Sequence, residues 1–368
     1  MAASDPARRV ASRSNAHPTL GDLCAELGLS AWTVSTALNH RKGKRGISAA
    51  TVGRVRAHAA RRGYVPDRGA ARTRSDKSSV FGLLISSHLR HPHMIEALNL
   101  FMDRAIEYPG GMETVFCRDG GLASGLTEMA ARRITRFVWL RSVGSEQGEN
   151  GQVPLTLVPQ FDRVVVYNYD FNDSGPDKFW DWPNVARVGV SRDDAFLRLG
   201  AEFRRLGHRR VAYLSYTTTS SCSRDTPLRR GMAANGIETV YPVPENADRP
   251  PNSAYGPMLA RMALEERERG TTALFGDDHE MAQTLQALRA LGVAVPKDMS
   301  VAGFNGSFFT ALLTPPMANL AMPVAEMVDK AFSALRAPET PADQVLPMEL
   351  QLRESLGPAP DNLTAPWK

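Results

Sequence analysis

The sequence predicts an α/β protein that carries an all-α helix-turn-helix headpiece at its N-terminus. Three observations predict this. Residues 19–39 show helical periodicity interrupted by a glycine. From Val80 onward, short apolar runs alternate with amphipathic helical patterns. The charge is also split between these two parts. Residues 1–77 hold 15 Lys+Arg against 5 Asp+Glu, whereas the whole chain of 368 residues carries +5, so the remainder is net −5. A basic segment built around a helical hairpin is the electrostatic footprint of phosphate binding.

The headpiece is predicted over residues 18–63, after a disordered basic arm at residues 1–17. Leu20, Leu23, Cys24 and Leu27 fall at i, i+3, i+4 and i+7, one apolar face of a helix. Gly28 breaks that helix, Leu29 plugs the turn, and Ser30 is an N-cap for the next helix. In the second helix Val34, Ala37 and Leu38 face inward. Ala31, Trp32, Thr33, Ser35 and Thr36 are left outside. Two short helices joined by a glycine turn, with a polar outer face on the second, lay that second helix in the major groove of DNA. The basic loop HRKGKRG follows, then a third helix opening at Ser48 with Val52, Val55 and Ala59 inside and Gly63 ending it. Residues 64–78 read as a hinge helix and linker. Their Arg- and Ala-rich stretch has no apolar face of its own and folds only against a partner such as DNA.

The core is predicted over residues 79–358, with a tail at 359–368. VFGLLIS, starting at Val80, is a buried parallel strand. Further strands are expected at Glu113–Cys117, Phe137–Leu140, Arg163–Tyr167, Arg187–Val190, Arg210–Ser215, Ala273–Phe275 and Met299–Phe304. Helices are expected at Met94–Tyr108, Asp193–Leu206, Leu228–Asn235, Ala254–Arg269, His279–Leu291 and Val324–Leu335. Such alternation makes doubly wound parallel sheets, and its length calls for two subdomains. Ligands in such folds bind beyond the carboxyl ends of the strands.

Composition removes several classes. The hydrophobic share of 43% is that of a globular protein. No apolar run reaches the roughly 18 residues that span a membrane, and the N-terminal arginines are not followed by the apolar core of a secretory signal. Cys24, Cys117 and Cys222 are far apart and odd in number, which fits reduced thiols in a cytoplasm and not disulfides or zinc. No phosphate loop of the G-x-x-x-x-G-K-[ST] type, no G-x-S-x-G elbow and no metal-ligand spacing is present, so neither an enzyme nor a cofactor is expected.

Motifs along the chain resemble those of the lac repressor (LacI/GalR) family of bacterial transcription regulators. Thr19-Leu20-x-Asp22-Leu23, Gly28-Leu29-Ser30, Thr33-Val34-Ser35 and Asn39 open the series. Ile47-Ser48, Thr51, Val55 and Gly63-Tyr64-Val65-Pro66-Asp67-Arg68-x-Ala70 continue it. Leu206-Gly207-His208-Arg209-Arg210-Val211-Ala212 and the run from Gly292 to Phe304 follow, then Pro315-Pro316, Met348-Glu349-Leu350 and Arg353-Glu354-Ser355. The resemblance covers Thr19 to Pro358. It implies a periplasmic-binding-protein-like core of two subdomains, 79–185 with 314–341 and 186–313 with 342–358, and chain crossings near Asn184, Leu313 and Pro341. It also implies a homodimer that binds a palindromic operator in double-stranded DNA, a repressor as the expected sign of regulation, and a small-molecule effector, such as a sugar, in the cleft between subdomains. No heptad repeat follows Arg353, so no coiled-coil tetramerisation tail is expected.

The same resemblance assigns the DNA-contacting residues. Base-reading positions are Ala31, Trp32 and Thr36. Trp32 either stacks on a thymine methyl or a sugar, or folds back on the headpiece core. Ser30, Thr33, Ser35, Asn39 and Tyr64 match phosphate-contacting positions. In the hinge, Arg68 and Ala70 are in place, but Thr73 stands where relatives insert a leucine into the minor groove, and threonine is a poor wedge. Effector candidates lie after strand ends: Ser87 and His88, Tyr169, Asp277, and Asn305 where relatives place an aspartate that grips sugar hydroxyls. The family's effector-gripping arginine falls on Leu228, with Arg229 beside it. With both positions off-pattern, no common effector carries over. The competing readings are a cytoplasmic carbohydrate-binding protein sharing only the core fold, and an effector-independent DNA binder.

Overall fold

The computed structural model describes residues 18–38, 47–62, 64, 80–85, 92–108, 110–117, 122–141, 158–171, 182–215, 225–242 and 255–361. The chain divides into two compact units, residues 1–76 and 77–368. Among the described residues no helix is long and apolar enough to cross a membrane.

The smaller unit holds α1 (Leu20–Leu27), α2 (Ala31–Leu38) and α3 (Ala49–Arg61). Each start is fixed by a short polar side chain that satisfies otherwise orphaned backbone donors. The Thr19 hydroxyl accepts from Asp22 N at 3.2 Å while the Asp22 carboxylate accepts from Thr19 N at 2.8 Å, a reciprocal capping box. Ser30 accepts from Thr33 N at 3.1 Å, and Ser48 from Thr51 N at 3.1 Å. Gly28 stops α1 with φ 65°, a left-handed conformation suited to glycine. Leu23, Val34, Ala37, Val52, Val55 and Ala59 form the core, with Leu20, Leu29, Leu38 and Tyr64 packed at its edge.

The larger unit contains, among its described residues, two six-stranded sheets. The first is wholly parallel and runs β11-β5-β4-β3-β1-β2. Its strands are β1 (Phe81–Ile85), β2 (Met112–Phe116), β3 (Arg136–Leu140), β4 (Arg163–Asp170), β5 (Val185–Ser191) and β11 (Gln344–Pro347). Helix α4 (Pro92–Ala105) packs one face of it together with α10 (Val324–Arg336), and α5 (Leu122–Ala131) the other.

The second sheet runs β12-β10-β9-β8-β6-β7, antiparallel only between β10 and β12. It comprises β6 (Arg210–Leu214), β7 (Glu238–Val240), β8 (Ala273–Asp277), β9 (Ser300–Asn305), β10 (Ala318–Ala321) and β12 (Glu349–Gln351). Helices α6 (Asp193–Arg205) and α7 (Asp225–Ala234) cover one face, and α8 (Tyr255–Glu268) and α9 (Asp278–Ala290) the other. One apolar cluster runs through both subdomains by way of Val190, Met322, Leu346 and Met348.

The crossings between sheets differ from those expected. The chain leaves the first sheet at Arg192, not near Asn184, because β5 stays paired with β4 and β11 to its carboxyl end. It returns after Ala321, not at Leu313, because the Pro315-Pro316 segment delivers the chain to β10 beside β9. The third crossing is at Met348 and not near Pro341: β11 pairs with β5, and β12, one residue later, pairs with β10. Residues 186–191 and 344–347 therefore belong to the first subdomain and 318–321 to the second. The expected tail also begins later, since Ala359 N donates to Leu206 O at 2.7 Å. The basic arm at 1–17 and nearly all of the hinge at 64–78 lie outside the described residues.

Candidate nucleic-acid interface and ligand cleft

In the headpiece, packing fixes which way α2 faces. Val34 and Ala37 are fully buried against α3, so the opposite face turns outward. Ala31 and Trp32 are exposed at the first turn, and Thr33, Ser35 and Thr36 are half-buried along the same helix. Trp32 keeps 64% of its surface in solvent, so its indole does not fold back onto the core. Ser30 and Thr33 share a hydroxyl contact of 2.8 Å beside it. Tyr64 donates its backbone N–H to Ala59 O at 2.9 Å and packs at the edge of the headpiece core. Asn39, Arg68, Ala70 and Thr73 lie outside the described residues, as do Ser87 and His88.

In the second subdomain, Asp277 ends β8 and caps α9, its Oδ1 accepting from His279 N at 3.2 Å. Asn305 ends the neighbouring strand β9, and its amide donates to Asp277 Oδ2 at 2.8 Å. The two candidates therefore form one carboxylate–amide pair. Asn305 holds φ 107°, unusual for a residue with a side chain and the kind of local strain that concentrates at functional sites.

Asp278, next in the chain, is fully buried, and its Oδ2 accepts from Ser307 N at 2.6 Å. Burial is the main cause that pushes its carboxyl up to about 8; the Asp277 charge adds to it, while bonds from Ser307 and Gly306 oppose it. The backbone of Gly303 comes so close that a Cβ there would overlap Asp278 Oδ1. Behind this turn, Thr310 Oγ1 donates to Ser307 O at 2.7 Å and accepts from Asn319 at 2.8 Å and from Arg353 at 3.1 Å. This support was missed in the sequence, since it joins residues of three separated segments.

Two arginines not picked out from the sequence stand at strand ends of the first subdomain. Arg141 follows β3 directly; its carbonyl accepts from the Asn168 amide at 3.2 Å, and its guanidinium lies 5.6 Å from the Tyr169 ring centroid. Arg192 follows β5 at the crossing, with its guanidinium 5.5 Å from the ring centroid of Phe304 in the other subdomain. Both are only 3% exposed. The signal in the sequence was a charged residue directly after an apolar strand.

The other candidates are placed apart. Tyr169 lies in the first subdomain, packed on Phe171 and flanked by Arg187. Arg229 is on the exposed side of α7, its guanidinium 4.3 Å from the Tyr241 ring centroid. Leu228, at the position of the expected gripping arginine, is a buried core residue. Among the described residues no group of three or more His, Cys, Asp or Glu is arranged to hold a metal ion.

The model of the periplasmic binding protein-like domain family matches residues 201–356. The chain is 27% identical to the HTH-type transcriptional regulator Rv3575c of Mycobacterium tuberculosis, over 92% of this chain and 97% of that protein. It is 25% identical to the HTH-type transcriptional regulator DegA of Bacillus subtilis, over 92% and 98%. Its fold is similar to that of the lac repressor dimer bound to operator and the anti-inducer ONPF, with a TM-score of 0.70 at 18% identity, covering 92% of this chain and 99% of that one.

Proposed function

We propose that the chain is a helix-turn-helix transcriptional regulator of the LacI/GalR type, acting as a homodimeric repressor in the cytoplasm. It binds a palindromic operator, and a small-molecule effector held between the core subdomains changes its affinity for DNA. The observation that carries this reading is the outer face of α2. A helix whose inner side is locked by Val34 and Ala37 presents Ala31 and the exposed Trp32, within a segment of net charge +10. Phosphate contacts give affinity and register, while base-edge contacts give sequence discrimination. Trp32 offers apolar area for a thymine methyl, and Thr36 offers one hydrogen bond in place of a bidentate guanine contact.

The dimer is supported by an apolar stripe that the core leaves uncovered. Ile95 and Met102 on α4, with Ile106 just beyond it, recur at i, i+7 and i+11, and Phe116 is 64% exposed at the end of β2. Such area is unfavourable in water and is suited to an isologous contact with a second copy. The lac repressor structure similar to this fold is itself a dimer on operator DNA. The effector site is supported by the Asp277–Asn305 pair at the carboxyl ends of β8 and β9, where doubly wound sheets hold ligands.

Selection of bound sequences from a random DNA pool, at near-physiological salt and with the full-length protein, tests this reading. The expected result is an enriched palindrome whose preference at one or two positions per half-site flattens in Trp32→Ala. Trp32→Ala is expected to melt within about 0.5 kcal/mol of the wild type, as exposed surface positions do. Binding that tracks salt alone, with no enriched sequence, contradicts the reading.

A further inference from the structure

We propose that Arg198 pins the third crossing of the core: its guanidinium holds the Met348 carbonyl to the second subdomain and so sets how freely the two subdomains move against each other. The chain passes between the sheets three times, and each crossing is tied to the second subdomain by a hydrogen bond. At the first, Arg192 O accepts from Phe196 N of α6 at 2.9 Å. At the second, Met322 N donates to Asn305 O, at the end of β9, at 3.1 Å. Both are main-chain bonds, largely independent of side-chain identity. At the third the donor is a side chain: Arg198 Nη2, on α6, donates to Met348 O at 2.6 Å. Since α6 begins directly after the first crossing, this bond ties the first and third crossings to one helix.

The third crossing is also the shortest. Met348 alone separates β11, paired with β5 in the first sheet, from β12, paired with β10 in the second. Each planar peptide unit leaves two soft torsions per residue, and the ring of Pro347, just before Met348, fixes one of them. Between the end of β11 and the Met348 carbonyl, only ψ of Pro347 and the two torsions of Met348 stay soft. Bending between the subdomains is confined to these torsions while Arg198 holds the carbonyl; once it is released, the start of β12 can follow. The Met348 side chain is buried in the apolar cluster that runs through both subdomains, so its packing favours neither sheet. The carbonyl bond decides which subdomain it moves with, and a charged donor makes such a bond about twice as strong as a neutral one. Asp194, one turn earlier on α6, accepts from Arg198 at 2.9 Å and aims the guanidinium. That pair is largely in solvent and contributes little by itself. The Arg198 side chain is 42% exposed, so shortening it opens no core cavity.

The test compares Arg198→Met, Arg198→Lys and Asp194→Asn in the full-length protein. Methionine keeps an apolar stem without a donor, lysine keeps one charged donor, and Asp194→Asn removes the ion pair but leaves the carbonyl bond. Native-state hydrogen exchange of the amides of residues 346–351 is expected to speed up roughly tenfold in Arg198→Met. In the other two variants it is expected to stay within roughly threefold of the wild type, and exchange in β8 is expected to be unchanged in all three. Wild-type exchange in Arg198→Met overturns the proposal, as does an equal acceleration in Asp194→Asn. Should Arg198→Met fail to fold, Arg198→Gln, whose amide is too short to reach the carbonyl, takes its place. A second arm, affinity for the selected operator by fluorescence anisotropy, rests on the reading of the chain as a DNA-binding regulator. Arg198→Met is expected to change that affinity by roughly fivefold or more, and Arg198→Lys to restore it. Accelerated exchange with unchanged operator affinity leaves the pin standing and overturns the coupling of core to DNA instead.

Discussion

Asp278 is a carboxyl group with no exposure to water. Its carboxyl is lifted from 3.8 to about 8 by burial first, then by the neighbouring Asp277 charge. The folded protein thus keeps it protonated at neutral pH, while the unfolded chain releases the proton near pH 4. Because the native-state value is the higher one, this group's contribution to stability is greatest below about pH 4. It is lost as pH rises from there to about 8 and is constant above. Asp278→Asn keeps an oxygen for Ser307 N without the ionisation. The melting temperature of Asp278→Asn relative to the wild type is expected to climb between pH 5 and pH 8, and a difference that stays flat across this range contradicts the assignment. None of this was visible in the Gly276-Asp277-Asp278-His279 string, where two adjacent aspartates look equivalent. Their difference arises from which one points at the Gly303 backbone. Trp32 was half legible: periodicity placed it on the outer side of its helix, but only the packing of Val34 and Ala37 decides that it stays outside.

Among the elements, α6 and α7 show how closely the helices of the core approach. A Cβ on Gly231 would sit 2.6 Å from the carbonyl carbon of Phe196, and one on Gly200 would sit 2.7 Å from Gly231 O. Replacing a helical glycine by alanine ordinarily stabilises a protein by about 0.5–1 kcal/mol through the unfolded chain. Here the contact is with backbone, which cannot swing away, and overpacking of this kind costs about 1–3 kcal/mol. Gly231→Ala is therefore expected to lower the melting temperature; a rise would mean that the two helices are free to separate. The helices and the central strands of both sheets could be read from periodicity, since each carries its own apolar pattern. The subdomain crossings could not. β11 and β12 have four and three residues and are separated only by Met348, too short for any period. Their assignment to different sheets depends on β5 and β10, which are distant in the chain.

For the whole molecule, the account requires that the cleft and the DNA-reading helix be coupled. Coupling is a differential affinity: a ligand shifts the DNA-bound population only as far as it prefers one arrangement of the subdomains over the other. Arg192 is well placed to sense that arrangement, being a first-subdomain residue seated on a second-subdomain ring. The architecture and the charge split were legible in the sequence because they are distributed over many residues. The candidate ligand-site residues were only partly so, because a strand end shows its neighbours only once the sheet is assembled. The most direct measurement is the affinity of the full-length protein for its selected operator, by fluorescence anisotropy, with and without a saturating small molecule that calorimetry shows to bind the core. The account predicts a change of roughly 5- to 150-fold, with an equal reciprocal effect of operator on ligand affinity. An unchanged operator affinity, with the ligand shown by calorimetry to be bound, would contradict it.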